Sequence, residues 1–155
     1  MKTGEPEVSK SFVALGLGTR RFALPAEIVE ELAPSLRLHR FPHRSPGVSG
    51  VIVRRGRIVP VIDLATILST VASSSQHFYL IADCKIGQSG ELVAIPVDGE
   101  CELATGDMET VVNQPSYILG ALRNAGEVVD VLDINALLPS GTAGVSSTAP
   151  ETVQP

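Results

Sequence analysis

Tryptophan is absent from this 155-residue sequence, and the aromatic residues together make up only 4% of it. The core must therefore be built mainly from Val, Ile, Leu and Ala, a composition that favours strands. Apolar runs are also short. None reaches the ~18 residues that a membrane-spanning helix needs, and residues 1–10 lack the apolar segment of a secretory signal. We therefore expect a cytoplasmic protein that does not insert directly into a membrane.

Cysteine is equally scarce. The sequence contains only Cys84 and Cys101, which are too few for a disulfide framework. His39 and His43 have a spacing that zinc sites use, but neither cysteine has a partner close in sequence. Glycine-rich phosphate loops and the GxSxG nucleophile motif are missing as well. The sequence thus predicts no metal ion, no cofactor and no enzymatic activity.

Charge is unevenly distributed along the chain. Six of the twelve basic residues lie between Arg37 and Arg57, a stretch without Asp or Glu, whereas residues 83–133 hold ten acids and two bases. Such asymmetry suits electrostatically steered contacts with other proteins. An arginine-rich segment that includes Phe41 is also compatible with binding to single-stranded nucleic acid. Because the net charge is −5 and aromatic residues are few, we expect no nucleic acid partner and keep that function as the alternative.

Two segments of the chain repeat one another. Residues 50–68 read GVIVRRGRIVPVIDLATIL and residues 120–138 read GALRNAGEVVDVLDINALL, with no gap and an offset of 70. Six positions are identical, and six of the other thirteen exchange one apolar residue for another. Upstream, residues 22–32 match residues 93–103 in the same way at an offset of 71. Two such matches in the same order indicate two related lobes.

The apolar pattern of both halves is that of short strands joined by tight turns. We predict an all-β fold of two similar small lobes, roughly residues 11–70 and 77–138, with short helical turns. We expect residues 1–10 and 139–155 to be disordered tails, and boundary strands are free to cross between the lobes. The predicted strands are Phe12–Leu17, Arg21–Leu24, Val48–Arg54, Arg57–Ile62, Phe78–Ala82, Leu92–Val97, Ile118–Leu122 and Val128–Leu132.

The repeated segments also contain structural positions that occur once per lobe. Gly56 and Gly126 lie at equivalent hairpin tips, where a turn with positive φ needs glycine. Asp63 and Asp133 each end a strand and precede a short apolar run, so each is predicted to cap a helical turn. A catalytic pair is the alternative, but that chemistry requires Thr or Ser and then Gly after each aspartate. The residues that follow are Leu-Ala and Ile-Asn, which favours the structural role.

Several motifs resemble those of the CheW-like family. The sequence has Pro42 and Pro46, then Gly50, an apolar pair, Arg55-Gly56 at a hairpin tip and the run PVIDL at residues 60–64. The segments LVAIPVDGECEL and GEVVDVLDINALL fit the later part of the same pattern, so the resemblance covers residues 11–138. It implies two five-stranded β-barrels packed together and no catalytic activity.

The resemblance also implies what the protein binds. Members of this family bridge the signalling tips of methyl-accepting chemotaxis receptors to the regulatory domain of the CheA histidine kinase, in chemotaxis, pilus-motility or cyclic-di-GMP pathways. The protein would then be an adaptor that is recruited to membrane receptor arrays. A relative that occupies arrays without activating the kinase is a further alternative. The partner-binding residues that we predict are Val29, Glu31, Gly50, Arg54, Arg55, Gly56 and Arg57.

The most specific of these predictions concerns Arg55. Its equivalent in the second repeat is Ala125, so the hairpin itself does not require an arginine at this position. Arg55 stands beside Arg54 and Arg57 and far along the chain from the acids, and we expect it to have no intramolecular partner. It is therefore predicted to be an interface residue rather than a structural one.

Overall fold

The computed structural model describes residues 10–40, 47–70, 78–86 and 89–138. Two short α-helices, α1 (Leu64–Ile67) and α2 (Ile134–Leu137), and a 3₁₀ turn at Ala26–Ile28 are the helical elements of this part of the chain. Its strands are β1 (Lys10–Leu17), β2 (Arg20–Pro25), β3 (Val29–Pro34), β4 (Val48–Arg54), β5 (Arg57–Ile62), β6 (Phe78–Ile86), β7 (Ser89–Gly106), β8 (Met108–Glu109), β9 (Ile118–Asn124) and β10 (Glu127–Leu132).

All eight predicted strands lie within observed strands, and the predicted all-β fold with short helical turns is confirmed. The prediction missed β3 and β8, and it ended the strand within β7 at Val97 rather than Gly106. Strand β3 reads VEELAP, with adjacent glutamates and a proline that strands disfavour. It forms because its backbone pairs with β6, where Leu32 lies opposite Leu80.

Other predicted segments fall outside the described residues. Residues 1–9 and 139–155 belong to the predicted tails, and residues 71–76 to the predicted connection between the halves. Residues 41–46, which include both prolines of the family pattern, Phe41 and His43, also lie outside.

The strands form two curled sheets that share the long strand β7. In one sheet, which we call lobe 1, β3, β6, the first half of β7, β5 and β4 lie side by side. The other, lobe 2, consists of the second half of β7, β1, β2, β10, β9 and the two-residue β8. Each lobe therefore contains five main strands, and β1 and β2 lie in the lobe formed chiefly by the C-terminal half.

The pairing repeats with the same offset as the sequence. Val61 of β5 lies in parallel register with Ala94 of β7, and Val131 of β10 lies in parallel register with Ala23 of β2. Val61 and Val131 are repeat equivalents, as are Ala23 and Ala94. Each lobe is thus assembled from strands of both repeats. The bounds predicted for the two lobes, roughly residues 11–70 and 77–138, stay a prediction, in which strands were free to cross between the lobes.

Three groups of buried residues hold this arrangement together. The largest lies between the lobes and combines side chains of β1 and β2 with those of β5, β6, β7 and both α-helices. Its members include Leu15, Phe22, Ile62, Leu80 and Ile95. Burial of a Leu, Ile or Phe side chain contributes about 1.5–3 kcal/mol, so this shared core joins the two lobes firmly. The interiors of the individual lobes are smaller: Ala33, Ile52, Val59, Val61, Tyr79, Ile81 and Ala94 in lobe 1, and Phe12, Ala23, Ala104, Leu122, Val129 and Val131 in lobe 2.

Candidate partner-binding site

The tip of the β4–β5 hairpin is a two-residue turn formed by Arg55 and Gly56. Arg54 and Arg57 form the last strand pair before this turn. Arg55 has φ 53° and Gly56 has φ 77°, and positive φ at both central residues is the signature of a type I′ hairpin turn. The turn therefore fixes the backbone of Arg55 and brings three arginines together at this end of the sheet.

The equivalent turn in lobe 2 has the same backbone conformation. Ala125 has φ 52° and Gly126 has φ 83°, and the flanking pair is Asn124 with Glu127. The turn consequently forms without any arginine, as the sequence comparison predicts. What distinguishes the two hairpin tips is charge, and not backbone geometry.

Glu31 of strand β3 brings an acid to the arginine cluster. Arg54 donates to it through two hydrogen bonds, from Nη2 to Oε1 at 2.9 Å and from Nε to Oε2 at 3.2 Å. Arg55 approaches the same two oxygens from Nη2 and Nε at 3.4 Å each. The expectation that Arg55 has no intramolecular partner is therefore wrong. It failed because Glu31 of β3 and the arginines of the β4–β5 hairpin, although 23 and 24 positions apart in the sequence, come within hydrogen-bonding distance in the folded lobe.

These contacts change the electrostatics of the carboxylate. The hydrogen bonds from Arg54 and then those from Arg55 lower the pKa of Glu31 from 4.5 to about 2. Glu31 is therefore ionised at neutral pH and neutralises one of the two guanidinium charges. The cluster that remains is positive, since Arg57 is exposed and adds a third guanidinium group.

A shallow groove lies beside the arginines on lobe 1. Its volume is about 250 Å³, and its polar rim stands over apolar side chains that continue into the interior of the lobe. Glu30, which adjoins Glu31 on the rim, and the apolar floor of the groove were not predicted from the sequence. The lining residues are Glu30, Glu31, Arg54, Arg55, Arg57, Val59, Ile81 and Leu92.

The other predicted partner-binding residues lie away from this groove. Val29 is partly buried and packs against the core between the lobes. Gly50 is buried, and a Cβ at this position would lie 2.3 Å from the backbone oxygen of His39. Close approach of two backbones explains that glycine, so burial argues against direct contact with a partner. Gly56, in contrast, has open space around its Cα.

The two capping aspartates differ from each other. Asp63 caps α1 as predicted, because its side chain accepts hydrogen bonds from the backbone N–H of Thr66 at 3.3 Å and from its hydroxyl at 2.8 Å. The prediction for Asp133 is wrong, since its side chain makes no capping hydrogen bond to α2. The residue three positions after it is Ala136, which offers no hydroxyl group.

A pair of exposed apolar side chains lies on the outer face of the same hairpin. Val53 and Ile58 are directly opposite each other on β4 and β5, and they are 53% and 72% exposed. Ile58 has an exposed apolar equivalent, Val128, in lobe 2, but Val53 corresponds there to Arg123. The sequence gives no signal for Val53, because residues 51–53 are a continuous apolar run whose buried and exposed positions are distinguished only by the structure.

The second groove lies on lobe 2 and differs in chemistry. It has a volume of about 390 Å³, and most of its lining is apolar. Strands β1, β2, β8 and β9 and the 3₁₀ turn contribute to it. The lining residues are Lys10, Ser11, Phe12, Pro25, Ala26, Glu27, Met108 and Leu119.

The residues considered for zinc binding do not form a site in the described part of the chain. Cys84 is buried, Cys101 is partly buried and His39 is exposed. Among the described residues, no three His, Cys, Asp or Glu side chains are grouped closely enough to hold a metal ion. In the same residues, no helix is long and apolar enough to cross a membrane.

The fold and the site define a two-lobed, all-β protein whose charged groove lies at a hairpin tip. Residues 11–142 match the family model of the CheW-like domain. The chain belongs to the CheW-like family. It is 22% identical over 141 residues to the chemotaxis protein CheW of Rhizobium meliloti (strain 1021), covering 84% of this chain and 88% of that protein.

A solved structure shows the same fold. The scaffolding protein TtCheW from Thermoanaerobacter tengcongensis superposes with a TM-score of 0.73 at 18% sequence identity. The match covers 88% of this chain and 92% of that one. Two lobes packed around a shared core are therefore the architecture of a known protein.

Proposed function

We propose that this protein is a non-enzymatic adaptor that couples the signalling tips of chemoreceptors to the regulatory domain of a CheA-type histidine kinase. Membership of the CheW-like family supports this proposal, as do a relative named as a chemotaxis protein and a similar structure named as a scaffolding protein. The protein would act in the cytoplasm and be recruited to receptor arrays at the membrane. The structural observation that carries the proposal is the arginine-rimmed groove of lobe 1.

The groove has the composition of a protein-binding surface. Arginine is enriched at interfaces, where its planar guanidinium group forms paired hydrogen bonds with carboxylates. Apolar side chains within a charged rim, such as Val59 and Leu92 in this groove, reproduce the usual combination of an apolar centre and a polar edge. The type I′ turn holds Arg55 at a fixed position, which reduces the conformational entropy lost on binding. The surface thus suits an acidic patch on a folded partner.

An adaptor must also hold two partners at once, and this requires two separate surfaces. The arginine-rimmed groove lies on lobe 1, whereas the larger apolar groove lies mainly on lobe 2. The core between the lobes keeps the two surfaces at a fixed relative orientation. A rigid body with two unlike grooves can bridge two unlike proteins.

The direct test is a titration of this protein with a receptor signalling-tip fragment and, separately, with the kinase regulatory domain. We expect saturable binding to both. Arg55→Ala should weaken binding to at least one of them about tenfold, a typical result for an interface anchor. Arg123→Ala is the matched control, because it removes an exposed arginine from the equivalent hairpin of lobe 2. Absence of binding to both partners would refute the proposed function.

Two further measurements separate the alternatives. In a reconstituted mixture of receptor, kinase and this protein, an adaptor raises kinase activity, whereas a passive occupant of arrays binds without raising it. Single-stranded DNA is the second probe. Binding that survives ~0.15 M salt would favour the nucleic acid function, because purely electrostatic contacts to phosphates weaken steeply with salt.

A further inference from the structure

Two arginines compete for one acid at the rim of the lobe 1 groove. Arg54 and Arg55 each direct Nε toward Oε2 of Glu31 and Nη2 toward Oε1. A single carboxylate cannot give both guanidinium groups two short, well-aligned hydrogen bonds from the same pair of oxygens. The nitrogen–oxygen distances to Glu31 are 2.9 and 3.2 Å for Arg54 and 3.4 Å in both cases for Arg55. Arg54 therefore makes the stronger contact with the carboxylate.

Burial separates the two arginines in the same direction. The Arg54 side chain is 24% exposed and that of Glu31 25%, so this pair is largely shielded, whereas the Arg55 side chain is 71% exposed. Charge-assisted hydrogen bonds usually have lengths of about 2.7–2.9 Å. At 3.4 Å, the contacts of Arg55 are weak and open to exchange. Arg55 therefore retains most of its capacity to bind another acid.

We propose that Arg54 binds Glu31 and thereby leaves Arg55 to bind a carboxylate of the partner protein. This inference rests on the proposed function and adds a division of labour to it. Arg54 is a positioning residue, since it acts on the partner only through Glu31. Arg55 is the residue that contacts the partner, and the ligand it selects is an Asp or Glu side chain.

The division of labour predicts an unusual rescue. Without Arg54, Glu31 has lost its main partner, and Arg55 already lies within 3.4 Å of both carboxylate oxygens. Arg55 then moves onto Glu31 and becomes less available to the partner. Replacing Glu31 by glutamine in the same protein removes the competing charge, so Arg55 becomes available again.

The experiment is a titration of four variants with the receptor signalling-tip fragment and the kinase regulatory domain. Relative to the wild type, we expect Arg55→Ala to lose about tenfold or more in affinity and Arg54→Ala about fivefold, within the range of interface substitutions. The double variant Arg54→Ala with Glu31→Gln should return to within about twofold of the wild type. The matched control is Glu102→Gln, which removes the repeat equivalent of Glu31 and should have no effect.

Two results would overturn the inference. Unchanged affinity in a folded Arg54→Ala protein would show that Arg54 does not position anything. A double variant that binds more weakly than Arg54→Ala alone would show that Glu31 contacts the partner itself. Thermal melts of every variant establish that the proteins are folded, and a merely structural role of Arg54 would not be rescued by a second substitution.

A measurement without any partner keeps this inference separate from the proposed function. Nuclear magnetic resonance of the arginine Nε–H groups should show slow hydrogen exchange for Arg54 and fast exchange for Arg55. In Arg54→Ala, the Arg55 signal should become protected, and Glu31→Gln should abolish that protection. If the wild type binds neither partner, the proposed function fails. These spectra still show whether Glu31 is paired with Arg54 or with Arg55. Slower exchange for Arg55 than for Arg54 in the wild type would contradict the inference that Arg54 is the main partner of Glu31.

Discussion

Val61 and Ala94 lie opposite each other in a parallel pair that joins β5 to β7. The repeat equivalents, Val131 and Ala23, form the same parallel pair in lobe 2. Each pair connects a strand from one half of the sequence with a strand from the other half. The two lobes are therefore interlocked, and neither half of the chain contains a complete lobe.

Cutting the chain between residues 70 and 78 should consequently separate strands that need each other. The N-terminal fragment contains β1 to β5 but lacks β6, β7 and β10, which pair with them. We expect each fragment alone to show no cooperative thermal transition by circular dichroism. An equimolar mixture should regain the wild-type spectrum and a single transition. A fragment that folds cooperatively by itself would contradict the interlocked arrangement.

Gly50 and Gly56 should respond differently to alanine. A Cβ at Gly50 would lie 2.3 Å from the backbone oxygen of His39, and two backbone hydrogen bonds between His39 and Val51 hold these segments together. Gly50→Ala should therefore lower the free energy of unfolding by about 3 kcal/mol, as overpacking does. Gly56 has open space around it but φ 77°, so Gly56→Ala should lower it by only about 1 kcal/mol. Urea denaturation measures both.

The side-chain shape at Gly56 should matter as well. Valine at this position places a β-branched residue at positive φ, where it is strongly disfavoured. Gly56→Val should thus be less stable than Gly56→Ala, and Gly126→Val should behave in the same way because φ there is 83°. Equal stability of the alanine and valine variants would show that the turn relaxes to another conformation.

Arg55 should contribute little to folding. Its side chain is exposed and its contacts with Glu31 are 3.4 Å long, so Arg55→Ala should change the free energy of unfolding by no more than about 0.5 kcal/mol. If Arg55 anchors a partner, the same substitution should weaken that binding by about 1–3 kcal/mol. A large decrease in the melting temperature of this variant would instead show that the arginine is structural.

The contribution of Glu31 to stability should depend on pH. Its pKa is lowered from 4.5 to about 2 by Arg54 and Arg55, so the folded state binds a proton less readily than the unfolded state. The stabilisation is therefore complete above about pH 4.5 and is lost as the pH falls toward 2. We expect the stability difference between the wild type and Glu31→Gln to shrink over this interval. The Glu102→Gln variant controls for the general effect of acid.

The thiol of Cys84 should be unreactive in the folded protein. Burial raises its pKa to about 12, and the negative charges of Asp83, Asp133 and Glu91 contribute in the same direction. Because the thiolate is the reactive form, iodoacetamide at pH 8 should leave Cys84 unmodified until the protein is unfolded in guanidinium chloride. Mass spectrometry of the modified peptides measures this. Rapid alkylation of Cys84 in the native protein would contradict its burial.

Much of this protein could be predicted from the sequence, because its strands are short, regular and repeated. The gapless match between residues 50–68 and 120–138 predicts the same order of strand, turn, strand and helical turn in both segments, and the structure has that order. The arginine cluster of the candidate site also follows from the sequence, since Arg54, Arg55 and Arg57 surround a turn. These features depend on neighbouring residues, whose geometry a local pattern fixes.

The tertiary structure alone decided which distant residues meet. No local pattern indicates that β3 is a strand or that its Glu31 reaches Arg54 and Arg55, because VEELAP forms a strand only by pairing with β6. The exchange of strands between lobes is likewise invisible in the repeat, since an interlocked and a contiguous arrangement present the same apolar pattern. Hydrophobic periodicity determines which face of a strand is buried, whereas the choice of partner strand depends on the packing of the complete chain.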